Sequence, residues 1–222
     1  MRSTARWPAA GVSLALLLLL GAAGCGSGRA LGDGGVVDRT PREPMPLDAT
    51  TIVDADTDTT VVDGSACAFV IESHPDEGAQ HIPCSSPATY LSEPPSSGNH
   101  YPIWAAYQAY DAPVPWGNLV HCLEHGAVVM VYNCPAGCAD EVDRALAWIA
   151  ALPADPVCGA NRIVLAPDPT LGVRWAATAW TWTLRADCFD ETAFTQFFAD
   201  HYGHGLEVVC SSGANTAAGW CP

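Results

Sequence analysis

Lysine is absent from all 222 residues, and the nine arginines face 24 acidic side chains, for a formal net charge of −15. A chain without clustered positive charge cannot neutralise a phosphate backbone, which excludes nucleic acid as a partner. There is no glycine-rich phosphate loop between a strand and a helix, and Ser96-Ser97-Gly98 does not form a GxSxG elbow. No apolar run reaches the roughly 20 residues that a bilayer-spanning helix needs.

What is there begins with Arg2 and Arg6 ahead of the apolar run Val12 to Leu20, then small residues leading into Cys25. That layout reads as a secretory signal over residues 1–24. The segment resembles a bacterial lipoprotein signal, which would make Cys25 the lipidated first residue of the mature chain, although Ala22 stands where such signals carry Leu. A plain secreted form is the alternative. The resemblance implies a cell-envelope protein, exported and membrane-anchored through lipid, at the outer membrane or cell surface rather than the inner membrane. From Cys25 to about Ser65 the chain is rich in Gly, Pro, Thr and Asp, as in ATTIVDADTDTTVVDG, with no aromatic residue. It reads as a solvated acidic linker (residues 25–65) to a single globular domain (residues 66–222).

Nine cysteines remain in the domain: Cys67, Cys84, Cys122, Cys134, Cys138, Cys158, Cys188, Cys210 and Cys221. In an oxidising compartment most form disulfides and one is left over. Pairing does not follow from spacing; Cys67 with Cys84, and Cys210 with Cys221, are near enough in sequence to close loops. Cys122 is the candidate for the odd one, either as a thiolate ligand beside His121 and His125 or as a small buried apolar residue.

The apolar, β-branched run Gly126 to Tyr132 reads as a buried strand and Asp140 to Leu152 as an amphipathic helix closed by Pro153. Strands are expected at Asn161 to Ala166, stopped by Pro167-Asp168-Pro169, which suits a hairpin, and at Val173 to Leu184. A helix over Asp190 to His201 with Asp190 as N-cap, and a last short strand over Leu206 to Cys210, complete the order. The fold class expected is α+β: a small mixed or antiparallel sheet with two helices on one face in the ferredoxin-like split βαβ order, stapled by disulfides. The stretch from Cys67 to Gly117, with Pro94-Pro95 and the aromatics Tyr101, Trp104, Tyr107, Tyr110 and Trp116, is irregular by contrast. Long irregular stretches in compact domains often carry function, so a site is expected where this one meets the first strand.

Four of the seven histidines, His81, His100, His121 and His125, fall in under fifty residues, two of them within His121-Cys122-Leu123-Glu124-His125. Imidazoles gathered from loops and strand ends are typical ligands of Zn and Cu. His121 and His125 share a face whether this run is extended or helical. His81 and His100 would complete the set, with Glu124 as a ligand or as an acceptor orienting an imidazole. The pentapeptide also fits the H-x-x-E-H zinc-peptidase pattern, which needs a helix, while Gly117 and Gly126 leave room for two turns at most. The competing readings are a non-catalytic module that contacts another envelope protein and keeps structural histidines, and a metal-dependent hydrolase or oxidoreductase with Glu124 as base.

The motifs Pro94-Pro-Ser-Ser-Gly-Asn-His100-Tyr-Pro102, Val120-His-Cys-Leu-Glu-His-Gly126, Arg162-Ile-Val-Leu-Ala-Pro167 and Thr178-Ala-Trp180, in this order, resemble the bacterial domain of unknown function 3105 family. The resemblance covers about Gly78 to Glu207. It implies a shared fold and a histidine-bearing site, with His81, His100, His121, Glu124 and His125 at motif positions, and it brings no reaction with it.

Overall fold

The computed structural model describes residues 39–47, 60–61, 67–215 and 217–221. The expected signal segment, the lipidation site Cys25 and most of the expected linker lie outside the described residues. Within the linker, residues 39–47 are not simply solvated. The Arg42 N–H donates to the Pro169 carbonyl at 2.9 Å, and the Leu47 N–H to Asp187 Oδ1 at 2.7 Å.

Among the described residues, six strands and three α-helices follow in chain order: β1 (Thr60–Val61), β2 (Phe69–Ser73), α1 (Trp116–Glu124), β3 (Val128–Tyr132), α2 (Ala139–Ala151), β4 (Ile163–Pro167), β5 (Trp175–Ala179), β6 (Trp182–Ala186) and α3 (Glu191–His201). They build one mixed sheet in the order β1-β2-β6-β5-β3-β4. Only the β3 to β4 pair is parallel, with Met130 opposite Leu165, and α2 supplies the crossover a parallel pair requires. Antiparallel neighbours of β3, β5 and β6 complete the sheet.

The central strands are apolar on both faces because both are covered. On one side Val128, Met130, Ile163, Leu165 and Trp175 pack against Ala145 and Trp148 of α2 and Phe194 and Phe197 of α3. On the other, Val129, Val131, Val164 and Ala176 pack against Leu119, Val120 and Leu123 of α1 and against the long segment that precedes it. Each fully buried side chain of this size contributes about 1.5–3 kcal/mol. Helix α3 starts where Asp190 accepts the Ala193 N–H at 2.9 Å, and α2 opens with Asp140 and Glu141 in its first turn and stops at Leu152, before Pro153.

The α+β class, the mixed sheet, the two helices on one face and the disulfide stapling agree with the sequence reading; the strand order does not. In a split βαβ another strand separates the parallel pair, whereas β3 and β4 are direct neighbours here. The Pro167-Asp168-Pro169 turn makes no hairpin: β5 lies on the far side of β3 from β4. The run Val173 to Leu184 is two strands, reversed at Trp180-Thr181, where Thr181 takes a positive φ of 62°. Leu206 to Cys210 forms no strand; it is held by the Cys158–Cys210 disulfide and by the Glu207 N–H donating to the Glu124 carbonyl at 2.9 Å. Conversely, β2 lies in the stretch read as irregular.

The disulfides are Cys67–Cys188, Cys84–Cys221, Cys134–Cys138 and Cys158–Cys210. Neither short loop suggested by spacing forms, because β2 pairs with β6 and brings Cys67 to Cys188, while the C-terminal segment returns to Cys84. These two long-range bridges, spanning 121 and 137 residues, each restrict the unfolded chain by roughly 5 kcal/mol on a chain-entropy view. Four disulfides place the folded domain in an oxidising compartment. Among the described residues, no helix is long and apolar enough to cross a membrane.

Candidate metal centre

The site is built on α1, which is enclosed rather than amphipathic: every residue from Gly117 to Glu124 is buried. Gly117 is required because a Cβ there would lie 2.4 Å from the Tyr101 ring. The helix ends in a Schellman turn, with the Gly126 N–H on the Leu123 carbonyl at 2.9 Å and the Ala127 N–H on the Cys122 carbonyl at 3.0 Å. Gly126 adopts the left-handed φ of 77° that this turn needs. Arg162 donates from Nη1 to the His125 carbonyl and, at 3.1 Å, from Nη2 to Asp155, both side chains being almost fully buried. A guanidinium at the carbonyl end of a helix complements its dipole and fixes where His125 sits.

The other histidines arrive on two loops zipped together as a parallel bridge, His81 opposite His100. The Ile82 N–H donates to the His100 carbonyl at 2.8 Å and the His100 N–H to the Gln80 carbonyl at 3.0 Å. The Cys84–Cys221 disulfide ties down the chain three residues beyond His81. His81, His100, His121 and Glu124 thereby bring one ligand atom each within 4.8 Å of all the others. Glu124 Oε2 lies 3.0 Å from His100 Nε2, 3.7 Å from His81 Nε2 and 3.8 Å from His121 Nε2. His81 is half exposed, whereas the other three are buried.

Backbone carbonyls decide the tautomers. His100 Nδ1 meets the Gly98 carbonyl at 2.9 Å and His121 Nδ1 meets the Tyr101 carbonyl at 2.6 Å. A carbonyl only accepts, so each Nδ1 carries a hydrogen and donates it, and Nε2 is the lone pair of each ring in its neutral form. Burial pushes His121 down to about 3, partly countered by its bond to the Tyr101 carbonyl and reinforced by His125, His100 and His81. His125 is lowered to about 4, chiefly by burial and then by His100, Arg162 and His81. Both rings are neutral at neutral pH. In its neutral form His100 therefore turns a buried lone pair onto a carboxylate oxygen that is itself an acceptor, 3.0 Å away, while His121 Nε2 lies 3.8 Å from the same oxygen and closer to His125. Such a set lacks a cation or a donor at its centre.

His125 stands one step outside the group. Its Nε2 is 3.1 Å from His121 Nε2 and 3.9 Å from Glu207 Oε2, and among the described residues its buried Nδ1 has no hydrogen-bond partner. With Nδ1 of His121 committed to Tyr101, the His125 Nε2–H donates to the His121 lone pair that a metal would use. Cys122 is free but lies outside the ligand group: it is fully buried, donates weakly at 3.4 Å to the Ala105 and Asn118 carbonyls, and burial pushes its thiol up to about 12. That is the small buried apolar residue of the two sequence readings.

Most of the aromatic cluster forms wall. Tyr101 donates to the Ser86 carbonyl at 3.2 Å, Tyr107 to Val209 at 3.3 Å and Tyr110 to Ala106 at 2.9 Å. Trp104 covers the site instead, with its ring centroid 5.1 Å from that of His121 and 4.7 Å from that of His125. Sequence reasoning missed Arg162, Asp155 and Glu207 around α1. The signal for Arg162 was its place at the head of the motif Arg162-Ile-Val-Leu-Ala-Pro167, in a chain with only nine cationic side chains.

Neither a curated protein nor a solved structure matches this chain. The family described as Protein of unknown function (DUF3105) matches residues 81–212, a span that opens at His81 and takes in the whole histidine and glutamate cluster, and the chain belongs to that family.

Proposed function

We propose that the domain holds one divalent transition-metal ion, copper or zinc, on His81, His100, His121 and Glu124, as the outward-facing part of a lipid-anchored cell-envelope protein. The observation that carries the metal reading is the convergence of buried acceptor atoms whose tautomers are fixed from behind by the Gly98 and Tyr101 carbonyls. Ligands at bond lengths of about 2.0–2.1 Å around a tetrahedral ion lie about 3.4 Å apart. The Glu124 distances of 3.0, 3.7 and 3.8 Å bracket that spacing. Three imidazoles and a carboxylate make a donor set suited to Zn²⁺ and Cu²⁺. The exposed edge at His81 gives an ion a route in and out, which fits storage, delivery or sensing. The leader ending at Cys25 supports the anchor, and the four disulfides support export.

The helical state of His121 to Glu124 favours a second reading, a metal hydrolase of the H-x-x-E-H type with His121 and His125 as ligands and Glu124 as base. Against it, Glu124 sits among three imidazoles, in the place of a ligand. The test is elemental mass spectrometry on the full chain, exported without a histidine tag, beside His100→Ala and His121→Ala. One copper or zinc per chain, lost in both variants, supports the proposal; a metal-free chain after reloading with either ion contradicts it.

A further inference from the structure

The Cys134–Cys138 bridge lies at the far end of β3 from the histidine cluster, and it differs from the other three disulfides in what it contributes to the fold. Those span 52, 121 and 137 residues, whereas this one spans 4, so it restricts the unfolded chain least. Its two cysteines are also held in place without it. Asn133, just before Cys134, donates its backbone N–H to the Arg174 carbonyl at 2.9 Å and its side-chain amide to the Arg42 and Leu171 carbonyls at 2.7 and 2.8 Å. The Gly137 N–H closes a turn on the Cys134 carbonyl at 2.8 Å, with Gly137 at a left-handed φ of 86°. On the other side, the Glu141 and Val142 N–H groups both donate to the Cys138 carbonyl at 3.0 Å. A dithiol at this position therefore keeps the spacing it needs to close again.

The two sulfurs are not equivalent. Both cysteines are partly exposed, and Pro135, Ala136 and Gly137 between them are exposed. Cys134 borders an open groove of 650 Å³, lined also by Tyr132, Asn133, Pro113, Pro167 and Pro169, which falls in the size range of ligand sites. Cys138 packs instead against the core and is the N-cap of the 13-residue helix α2, with no side-chain cap. The dipole and the free N–H groups of that first turn favour negative charge on its sulfur. Of the two acids in the turn, Asp140 is exposed to solvent and Glu141 is paired with Arg174 at 2.6 Å, so neither cancels the effect. Cys134 is thus the sulfur that an incoming thiolate reaches, and Cys138 is the better leaving group.

We propose that Cys134 and Cys138 form a thiol–disulfide exchange site whose substrate is a reduced cysteine pair on a polypeptide segment lying in this groove. A substrate thiolate attacks Cys134 Sγ; the Cys134–Cys138 bond breaks, its electron pair leaves on Cys138 Sγ, and a mixed disulfide forms at Cys134. The second substrate thiolate then attacks the substrate sulfur of that mixed disulfide and releases Cys134 as a thiolate. Two electrons pass from the substrate pair to the protein, and the two protons given up by the substrate thiols are taken by Cys134 and Cys138.

The test adds dithiothreitol to the full native chain, alkylates free thiols at intervals and scores each cysteine by peptide mass spectrometry. Cys134 and Cys138 should be alkylated together, roughly tenfold or more faster than the other six bridged cysteines, with the thermal midpoint of the chain nearly unchanged. A second measurement offers a hexapeptide whose cysteine carries a thionitrobenzoate leaving group, beside free cysteine carrying the same group. Cys138→Ala, which leaves Cys134 as a thiol, should release thionitrobenzoate roughly tenfold faster from the peptide than from free cysteine, and Cys134→Ala should show no such preference. A bridge that opens no sooner than the other three, or only as the chain unfolds, would overturn the proposal. So would equal rates for peptide and free cysteine, or a peptide preference carried by Cys138.

Discussion

Glu124→Gln separates a metal site from a merely polar core, because the two readings give opposite signs for the same substitution. With His100 Nδ1 donating to the Gly98 carbonyl, the neutral ring in the metal-free protein sets Nε2 against the Glu124 carboxylate at 3.0 Å, acceptor against acceptor. A glutamine of the same shape places an amide N–H there and satisfies that nitrogen. Relief of one buried unsatisfied contact is worth about 1–3 kcal/mol. For a domain of this size each kcal/mol shifts the unfolding midpoint by about 2–4 °C, so in chelator the variant should melt roughly 2–12 °C above the parent. With metal the order reverses. The parent gains about 4.1 kcal/mol when free metal stands at about 1,000 times its dissociation constant, whereas the variant, short of its one anionic ligand, gains little. Differential scanning calorimetry with chelator and with added zinc or copper gives all four midpoints. A variant that melts lower than the parent in chelator and gains as much from metal would refute the reasoning.

Three further outcomes are expected. His125→Ala retains one metal per chain by elemental analysis, since His125 competes for the His121 lone pair instead of completing the ligand set; loss of the metal would favour the hydrolase reading. Asp155→Asn leaves the Arg162 charge buried without its partner and releases the end of α1, at a cost of about 3–5 kcal/mol in denaturant unfolding. In chelator the domain loses stability as pH falls from about 6.5 toward 4, because His121 and His125 titrate at about 3 and 4 when folded and near 6.5 when unfolded, so the unfolded state takes up protons first. Stability from this source is fully present well above pH 6.5, and about 2 kcal/mol per histidine, about 4 kcal/mol for the pair, is gone by pH 5; a flat profile over that interval would contradict the assignment.

The sequence was most legible where local chemistry and tertiary environment agree. Helix α3 announced itself through the Asp190 cap and the Phe194 and Phe197 stripe, and α2 through its acidic first turn and Pro153. Helix α1 was harder to read because it is only nine residues long, begins at Pro115 with no side-chain cap and has no acidic residue in its first turn, and its polar stripe of Asn118, His121 and Glu124 faces a buried site instead of solvent. The β5 to β6 reversal was hidden because Trp180-Thr181 contains neither Gly nor Asn, and Thr181 holds its positive φ by tertiary support: its N–H donates to the Ser96 carbonyl at 2.8 Å and its carbonyl accepts from His74 at 2.8 Å. The candidate ligands were legible as residues, whereas their geometry was not. His81 reaches His100 through a two-residue bridge between loops, and the Gly98 and Tyr101 carbonyls that set the tautomers are backbone groups, without any mark in sequence. Pairing of the cysteines likewise depends on the β2 to β6 ladder and on the return of the C-terminus, both non-local.

The central claim, one ion held by three imidazoles and a carboxylate, is tested most directly by anomalous diffraction from crystals of the full chain loaded with zinc or copper. The account predicts a single peak about 2.0–2.2 Å from the Nε2 atoms of His81, His100 and His121 and from a Glu124 carboxylate oxygen. A peak coordinated by His121 and His125 without His81 and His100, or no peak in this cluster at all, would contradict it.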